Sequence, residues 1–476
     1  MSEGQVGPAR YLLWLGAGIM RLPDRRNLSV VIFLIGAVAI SYTAGAAVMF
    51  FELPTSSALS KAFIGARAWN ERAELSAAPS AATPTTLAGG IDQPDKTFDG
   101  FTLIATSSTS ESSTRAYLLN MRRQLVHRWE VPFSRVWPNP PHLSAPVDDS
   151  FVGFFACHLY SNGDLLVVFQ SLERFPNGYG LAKLDKDSNV LWKYAARVHH
   201  DLDVGEDGVV YAIAEETATH LPAGLDQDVG PYKVDSLVML SPDGKELKKP
   251  IPILEAIHAS PYRALLGPLE VQRVQPLPGS TSAEDSPSTQ GLTGTTIEDK
   301  LRRQDLIHGN SVHVLRRDQA ARFPGLRAGH VLLSLRRLDA LVALDPETAT
   351  VVWAARGPWR AQHDAQFLDN GHLLIFDNKG SASGSRVLEY DPLTQSIPWI
   401  YPGENNPSFF SNERGQCQRL PNGNTLIINS SDGKIIEVSS NHEIVWTCFV
   451  TSFISTAKRF DPNYISFLKR GQHARP

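Results

Sequence analysis

The sequence is short of cysteine and short of net charge, and these two shortages narrow its chemistry first. Three cysteines occur among 476 residues, Cys157, Cys417 and Cys448. No C-x-x-C pair exists, so zinc-ribbon or thioredoxin-like chemistry has no basis. Three thiols cannot all pair within one chain. Cys417 and Cys448 fall in one sequence repeat and are the candidate disulfide, which would suit an oxidising compartment. The formal net charge is only −4, so no basic field points to a nucleic-acid partner.

Charge is absent altogether from residues 28–51, LSVVIFLIGAVAISYTAGAAVMFF. A span of this length crosses about 30 Å of hydrocarbon. Arg10, Arg21, Arg25 and Arg26 precede it, whereas the basic residues after it are mixed with Glu52, Glu71 and Glu74. That asymmetry places residues 1–27 in the cytoplasm and the bulk of the chain on the extracytoplasmic, periplasmic side. The expectation is a retained transmembrane signal-anchor; cleavage near Ala44–Ala47 is the alternative. Residues 52–98 read as a helix over 56–75 followed by an Ala/Pro/Thr/Ser-rich linker.

What the chain does have, from residue 99 to about 465, is repetition. An N-G, D-G or similar Gly turn leads into a run of β-formers, as in SNGDLLVVFQ (161–170), EDGVVYAIAE (206–215), DNGHLLIFDN (369–378) and PNGNTLIINS (421–430). A second apolar strand follows, and then often a tryptophan, at Trp192, Trp353, Trp399 and Trp446. Asn-Gly and Asp-Gly favour hairpins in which both central residues take positive φ. Units of about 40 residues with four short strands are the pattern of propeller blades. Six are expected, over 99–150, 151–198, 199–253, 308–358, 359–410 and 411–457. The fold class is therefore all-β, a six-bladed β-propeller with an N-terminal transmembrane helix. Residues 254–307 break the rhythm and read as an insertion between blades three and four.

The repeat phase locates a site. His363 lies eight residues before Gly371, and His200 eight before Gly208. Equal phase means equal place on the innermost strand, at one end of the channel. His308 opens the corresponding strand of blade four, and Asn310 shares its side. Arg336 comes seven residues after Gly329 and Asn378 seven after Gly371, so both return to the same face. Glu215 holds the equivalent phase in blade three, as a base or a substrate contact. Cys157 and Cys417 read as core residues, Arg337 and Arg414 as solvated with the funnel mouth as the alternative, and His199 faces the blade interior. Three imidazoles with a guanidinium and an amide suit a tetrahedral anion. A three-histidine metal site is the competing reading, and an adjacent Arg opposes it; no metal or cofactor is assigned. A quinone-cofactor propeller would need adjacent cysteines and a calcium-binding carboxylate set, and neither occurs.

At HHDLDVGEDG, LIHGNSVHVL, VLLSLRRLDALVALD, QHDAQFLDNGHLLIFDN, QRLPNGNTLI and the tail STAKRFDPNY, the sequence resembles the bacterial arylsulfate sulfotransferase family. The resemblance covers most of 150–465. It implies transfer of a sulfuryl group from a phenolic sulfate ester to another phenol, without phosphoadenosine phosphosulfate. It also implies that His363 carries the group as sulfohistidine, while His200, His308, Arg336 and Asn310 hold the sulfate oxygens. The partners so implied are an aryl sulfate donor and a phenolic acceptor, besides the membrane; a homodimer is left open. The separate N-terminal β-domain of the family's well-known enzymes has no counterpart in residues 52–98. A membrane-tethered propeller that only binds anionic, sulfated ligands or a protein partner is the alternative function.

Overall fold

In the computed structural model, residues 87–107, 114–143, 147–171, 177–222, 225, 231–267, 305–381, 384–402 and 409–468 are described. The expected span at 28–51, the helix at 56–75 and the Ser/Thr-rich part of the insertion lie outside them. No helix among the described residues is long and apolar enough to cross a membrane.

Six four-stranded antiparallel sheets form the six blades of a propeller. Their innermost strands are Phe453–Phe460, Gly153–Leu159, Val198–Val204, Gly309–Val314, His363–Phe367 and Gln416–Arg419, for blades one to six. The first and last of the expected units need correction. Phe453–Phe460 pairs with Phe101–Ser107, so blade one takes its inner strand from the C-terminal end and the ring is closed by the chain's two ends. The second strands are buried on both faces by neighbouring blades. Leu165–Gln170 and Val331–Leu335 are therefore buried at every position instead of alternating.

The hairpin turns differ from expectation in one physical respect. The turn glycines Gly163, Gly208, Gly371 and Gly423 have φ of 79–92°, but the Asn or Asp before each does not have positive φ. These are three-residue loops that need one left-handed position. The Asn or Asp is present for its side chain. Asn162, Asp207, Asn370 and Asn422 each accept the backbone N–H two residues on, all at 3.1 Å.

The closing tryptophans clasp blade to blade. Trp129, Trp192, Trp399 and Trp446 donate their indole N–H to the carbonyls of Gly163, Pro242, Ser440 and Met121 in turns of the next blade, at 3.0–3.2 Å. A large ring fills the gap between blades while its one polar atom is satisfied. The candidate disulfide does not form; all three cysteines are free and buried. Cys417 lies on the first strand of blade six and Cys448 on the fourth, with two strands between them. At about 4.8 Å per strand the thiols are far beyond bonding reach.

Innermost strands have one edge with no strand partner, and the preceding blade supplies acceptors for it. Asp201 and Asp203 accept the N–H groups of Val312 and Val314 at 3.1 and 2.9 Å. Ser311 accepts Ala365 N–H, Asp364 accepts Cys417, Gln416 accepts Ala457 and Gln418 accepts Arg459, at 2.7–3.1 Å. An unpaired buried N–H costs about 1–3 kcal/mol, so these tethers set the angular position of each blade. Asp203→Ala is expected to lower stability by at least about 1–3 kcal/mol. Denaturant midpoints at constant m-value measure this, and an unchanged midpoint contradicts the tether.

Candidate functional site

One irregularity recurs at a single level of the channel. Register shifts interrupt the inner strands at Phe154/Ala156, His199/Leu202, Gly309/Ser311 and His363/Gln366, and in blade one opposite Ala105/Thr106. A bulge breaks the inward–outward alternation and re-aims a side chain. The residues so placed include Phe155, His200, Asn310 and His363. His200 and His308 have φ of 60° and 50°, a left-handed backbone that costs these residues about 1–3 kcal/mol each. Neighbouring groups hold them there. Gln170 accepts the His200 N–H, and the His308 carbonyl accepts the Arg336 N–H at 2.9 Å.

The histidines named from sequence come together. His200 Nε2 lies 3.2 Å from His308 Nε2. The Arg336 charge acts on both His308 and His363, and the Arg414 charge on both His200 and His363. His363 is 2% exposed, His200 7%; the His308 side chain is 18% exposed. Arg336 is half-buried, in the short turn after Val331–Leu335, and its guanidinium makes no hydrogen bond to the described residues. Asn310 donates to the Gln362 carbonyl at 2.8 Å while its Oδ1 is buried without a partner. That leaves its second N–H and its Oδ1 for a ligand.

Asn378 needs correction. Read as a substrate-binding residue, it is fully buried and spends its amide on the protein. Its Nδ2 donates to the carbonyls of Ser411 and Arg414, at 2.8 and 3.0 Å. Its Oδ1 must then face His363 Nδ1, at 2.8 Å, as acceptor. This fixes the tautomer: Nδ1 carries the proton and Nε2 carries the lone pair. Burial and the Arg336 and Arg414 charges push the His363 pKa well below its usual 6.5, against the opposing effect of the Asn378 bond. His363 is therefore neutral at neutral pH.

Arg414, read from sequence as solvated, is 3% exposed and crosses the channel. Its guanidinium donates to the carbonyls of Ser455, His200 and Phe155 and lies 4.0 Å from the centre of the Phe155 ring. Glu215, the alternative base, accepts the Gly178 N–H at 2.8 Å and also faces Lys233. The sequence reading missed Lys233, Asp235 and Asp305. Lys233 bonds Asp235 at 2.7 Å and Asp305 at 3.2 Å. His199 lies 3.1 Å from Asp235, and His308 Nδ1 hydrogen-bonds Asp305. Asp305 belongs to the 254–307 insertion, so the end of that segment is part of the site. Among the described residues, no cluster of His, Cys, Asp or Glu is arranged to hold a metal ion.

The arylsulfotransferase (ASST) family profile matches residues 157–451, more than half of the chain. The chain belongs to the arylsulfotransferase family. No curated protein matches it. Among solved structures, this arylsulfotransferase-family chain is similar to a protein of unknown function from Bacteroides caccae. The identity is 13% and the TM-score 0.45, over 76% of this chain and 99% of that one. Virginiamycin B lyase from Staphylococcus aureus is similar at 10% identity and TM-score 0.37, over 78% and 86%. At these scores neither likeness carries an argument.

The buried imidazoles make stability depend on pH. Burial pushes His158 and His313, lower in the channel, down to about 4. Their contribution is present above 6.5 and is lost as pH falls from 6.5 towards 4, about 3 kcal/mol for each group. His200 and His363 add to this in the same direction. Asp201, pushed up to about 7 by burial, and Asp364, also raised by burial, work in the opposite sense. The four histidines outnumber them, so the denaturation midpoint is expected to drop as pH goes from 7 to 5. A midpoint that is flat or rises over that range contradicts the neutral buried state.

Proposed function

We propose that this family member transfers a sulfuryl group from a phenolic sulfate ester to another phenol, with His363 as the covalent carrier. The observation that carries the reading is the Asn378–His363 bond, which leaves a neutral Nε2 lone pair beside two arginines. Family membership supports the reaction class.

In the first step His363 Nε2 attacks sulfur in line with the ester oxygen. The N–S bond forms, the O–S bond breaks, and the phenolate leaves with the bonding pair. Charge on the three equatorial oxygens is met by Arg336, by Asn310 and by the channel's positive potential, which includes Arg414. Such donors are already in place and need no reorganisation. The proton stays on Nδ1, donated to Asn378 Oδ1, so the adduct's positive imidazolium is hydrogen-bonded. In the second step a phenol oxygen attacks sulfur, the N–S pair returns to Nε2, and the phenol proton passes to a nearby imidazole, His200 or His308. The propeller itself is placed on the extracytoplasmic side, a reading supported by the uncharged 28–51 segment and the arginines before it.

Incubation with nitrophenyl sulfate is expected to add one sulfuryl group to His363, seen by peptide mass mapping, and His363→Ala is expected to carry none. Adduct on that variant refutes the assignment. Arg336→Leu is expected to slow adduct formation by about 10²–10³-fold. Because the His363 pKa is depressed, the adduct rate is expected to hold from pH 7.5 to below 6.5. A rate halved at pH 6.5 contradicts the neutral, shielded imidazole.

A further inference from the structure

Three histidines, two aspartates and a lysine form a closed polar ring in blades three and four. Lys233 bonds Asp235 and Asp305. Asp235 Oδ1 faces His199 Nε2, and Asp305 Oδ2 faces His308 Nδ1. His199 Nδ1 meets His200 Nδ1, and His200 Nε2 meets His308 Nε2 at 3.2 Å.

With all three imidazoles neutral, counting protons around this ring gives one arrangement. A carboxylate only accepts, so His199 carries its proton on Nε2 and presents a lone pair at Nδ1. His200 must then donate from Nδ1, which leaves its Nε2 bare. His308 donates from Nδ1 to Asp305, which leaves its Nε2 bare as well. Three neutral imidazoles have three N–H groups, and all three are used. The remaining contact joins two lone pairs.

We propose that the two Nε2 atoms of His200 and His308 form one proton-accepting slot, and that His199, Asp235, Asp305 and Lys233 are positioning residues that keep it empty until an acceptor phenol arrives. The inference rests on the sulfuryl-transfer reading above. When the phenol attacks, its O–H bond breaks and the proton enters the slot, converting a lone-pair contact into an N–H···N hydrogen bond. The O–S bond forms and the S–N pair returns to His363. The proton then leaves to solvent through His308, the more exposed of the pair.

The charges facing the pair fit this role. Burial opposes protonation at rest; Lys233 acts with it on both rings, Arg414 on His200 and Arg336 on His308, while Asp305 works against them at His308. Burial also works against the Lys233 charge, but Asp235, Asp305 and Glu215 hold its pKa above the usual lysine range. Lys233 thus stays charged and keeps both aspartates ionised as acceptors. Asp235 and Asp305 are both held below the ordinary carboxylate range by it, against burial.

His199→Leu removes the acceptor for His200 Nδ1–H and frees the ring to move its proton into the slot. His199→Asn keeps an acceptor oxygen where Nδ1 stood. Both are assayed by loading the protein with nitrophenyl sulfate and timing transfer to phenols of graded acidity. The leucine variant is expected to lose about 10²-fold or more with weakly acidic phenols, less with phenols already ionised in solution, and the asparagine variant to recover most of the rate. Equal transfer by His199→Leu and the unaltered protein overturns the slot. So does an equal loss in both variants across all phenols. A stoichiometric metal ion retained by the purified protein and required for transfer overturns it too, since two Nε2 lone pairs at this spacing also suit a metal. Failure of the unaltered protein to form any adduct counts against the sulfuryl-transfer reading instead. Should the leucine variant not fold, ¹⁵N shifts of the unaltered protein decide: His200 and His308 are expected as Nδ1–H tautomers at neutral pH. An Nε2–H signal from either contradicts the proposal.

Discussion

The site depends on a buried guanidinium spanning the channel. Arg414 comes from blade six, yet its three donor nitrogens reach carbonyls of blades one, two and three. Burying an unpaired guanidinium costs several kcal/mol. Here three carbonyls, the Phe155 ring and the charges of Asp201 and Asp364 offset that cost. One of those carbonyls belongs to His200, so the same interaction fixes where that imidazole sits. The Arg414 carbonyl accepts from Asn378, which orients His363. One residue therefore sets the position of one histidine and contributes to the tautomer of another.

The tethers between inner strands explain how such a site is tolerated. Bulges in five of the six inner strands would weaken a lone sheet, because each removes ladder hydrogen bonds. Here the open edges of the inner strands are satisfied across the gap by Asp201, Ser311, Asp364 and Gln416, each one position after the level of the site. The Asp that follows His200 and His363 is thus a structural residue beside a chemical one.

Much of this was legible in the sequence because blades repeat. Counting eight residues back from the turn glycine found His200 and His363 and carries over to Phe155 and Gly415, which stand at the same level. The count was hidden in blade four by a longer turn. There Asn310, not His308, holds the matched phase, since Leu315 closes the turn that Leu368 closes in blade five. Counting seven forward found Arg336 and Asn378 but could not say that Asn378 grips His363, because that requires knowing where the Ser411 and Arg414 carbonyls lie. Gln170 has the same phase and holds His200. Arg414 escaped because it sits one residue before the repeat position. Asp305 escaped because it ends an insertion with no repeat to count from, and the blade-one strand escaped because only ring closure assigns it.

The central claim is that Asn378 holds His363 with its Nε2 lone pair towards an anion framed by Arg336 and Asn310. A crystal structure of the protein soaked with a slowly reacting aryl sulfate tests this most directly. The account predicts sulfur facing His363 Nε2, opposite the ester oxygen, with Arg336 on the sulfate oxygens and Asn378 Oδ1 still on Nδ1. A sulfate bound elsewhere in the channel, or one approached by Nδ1 with the Asn378 bond broken, would contradict it.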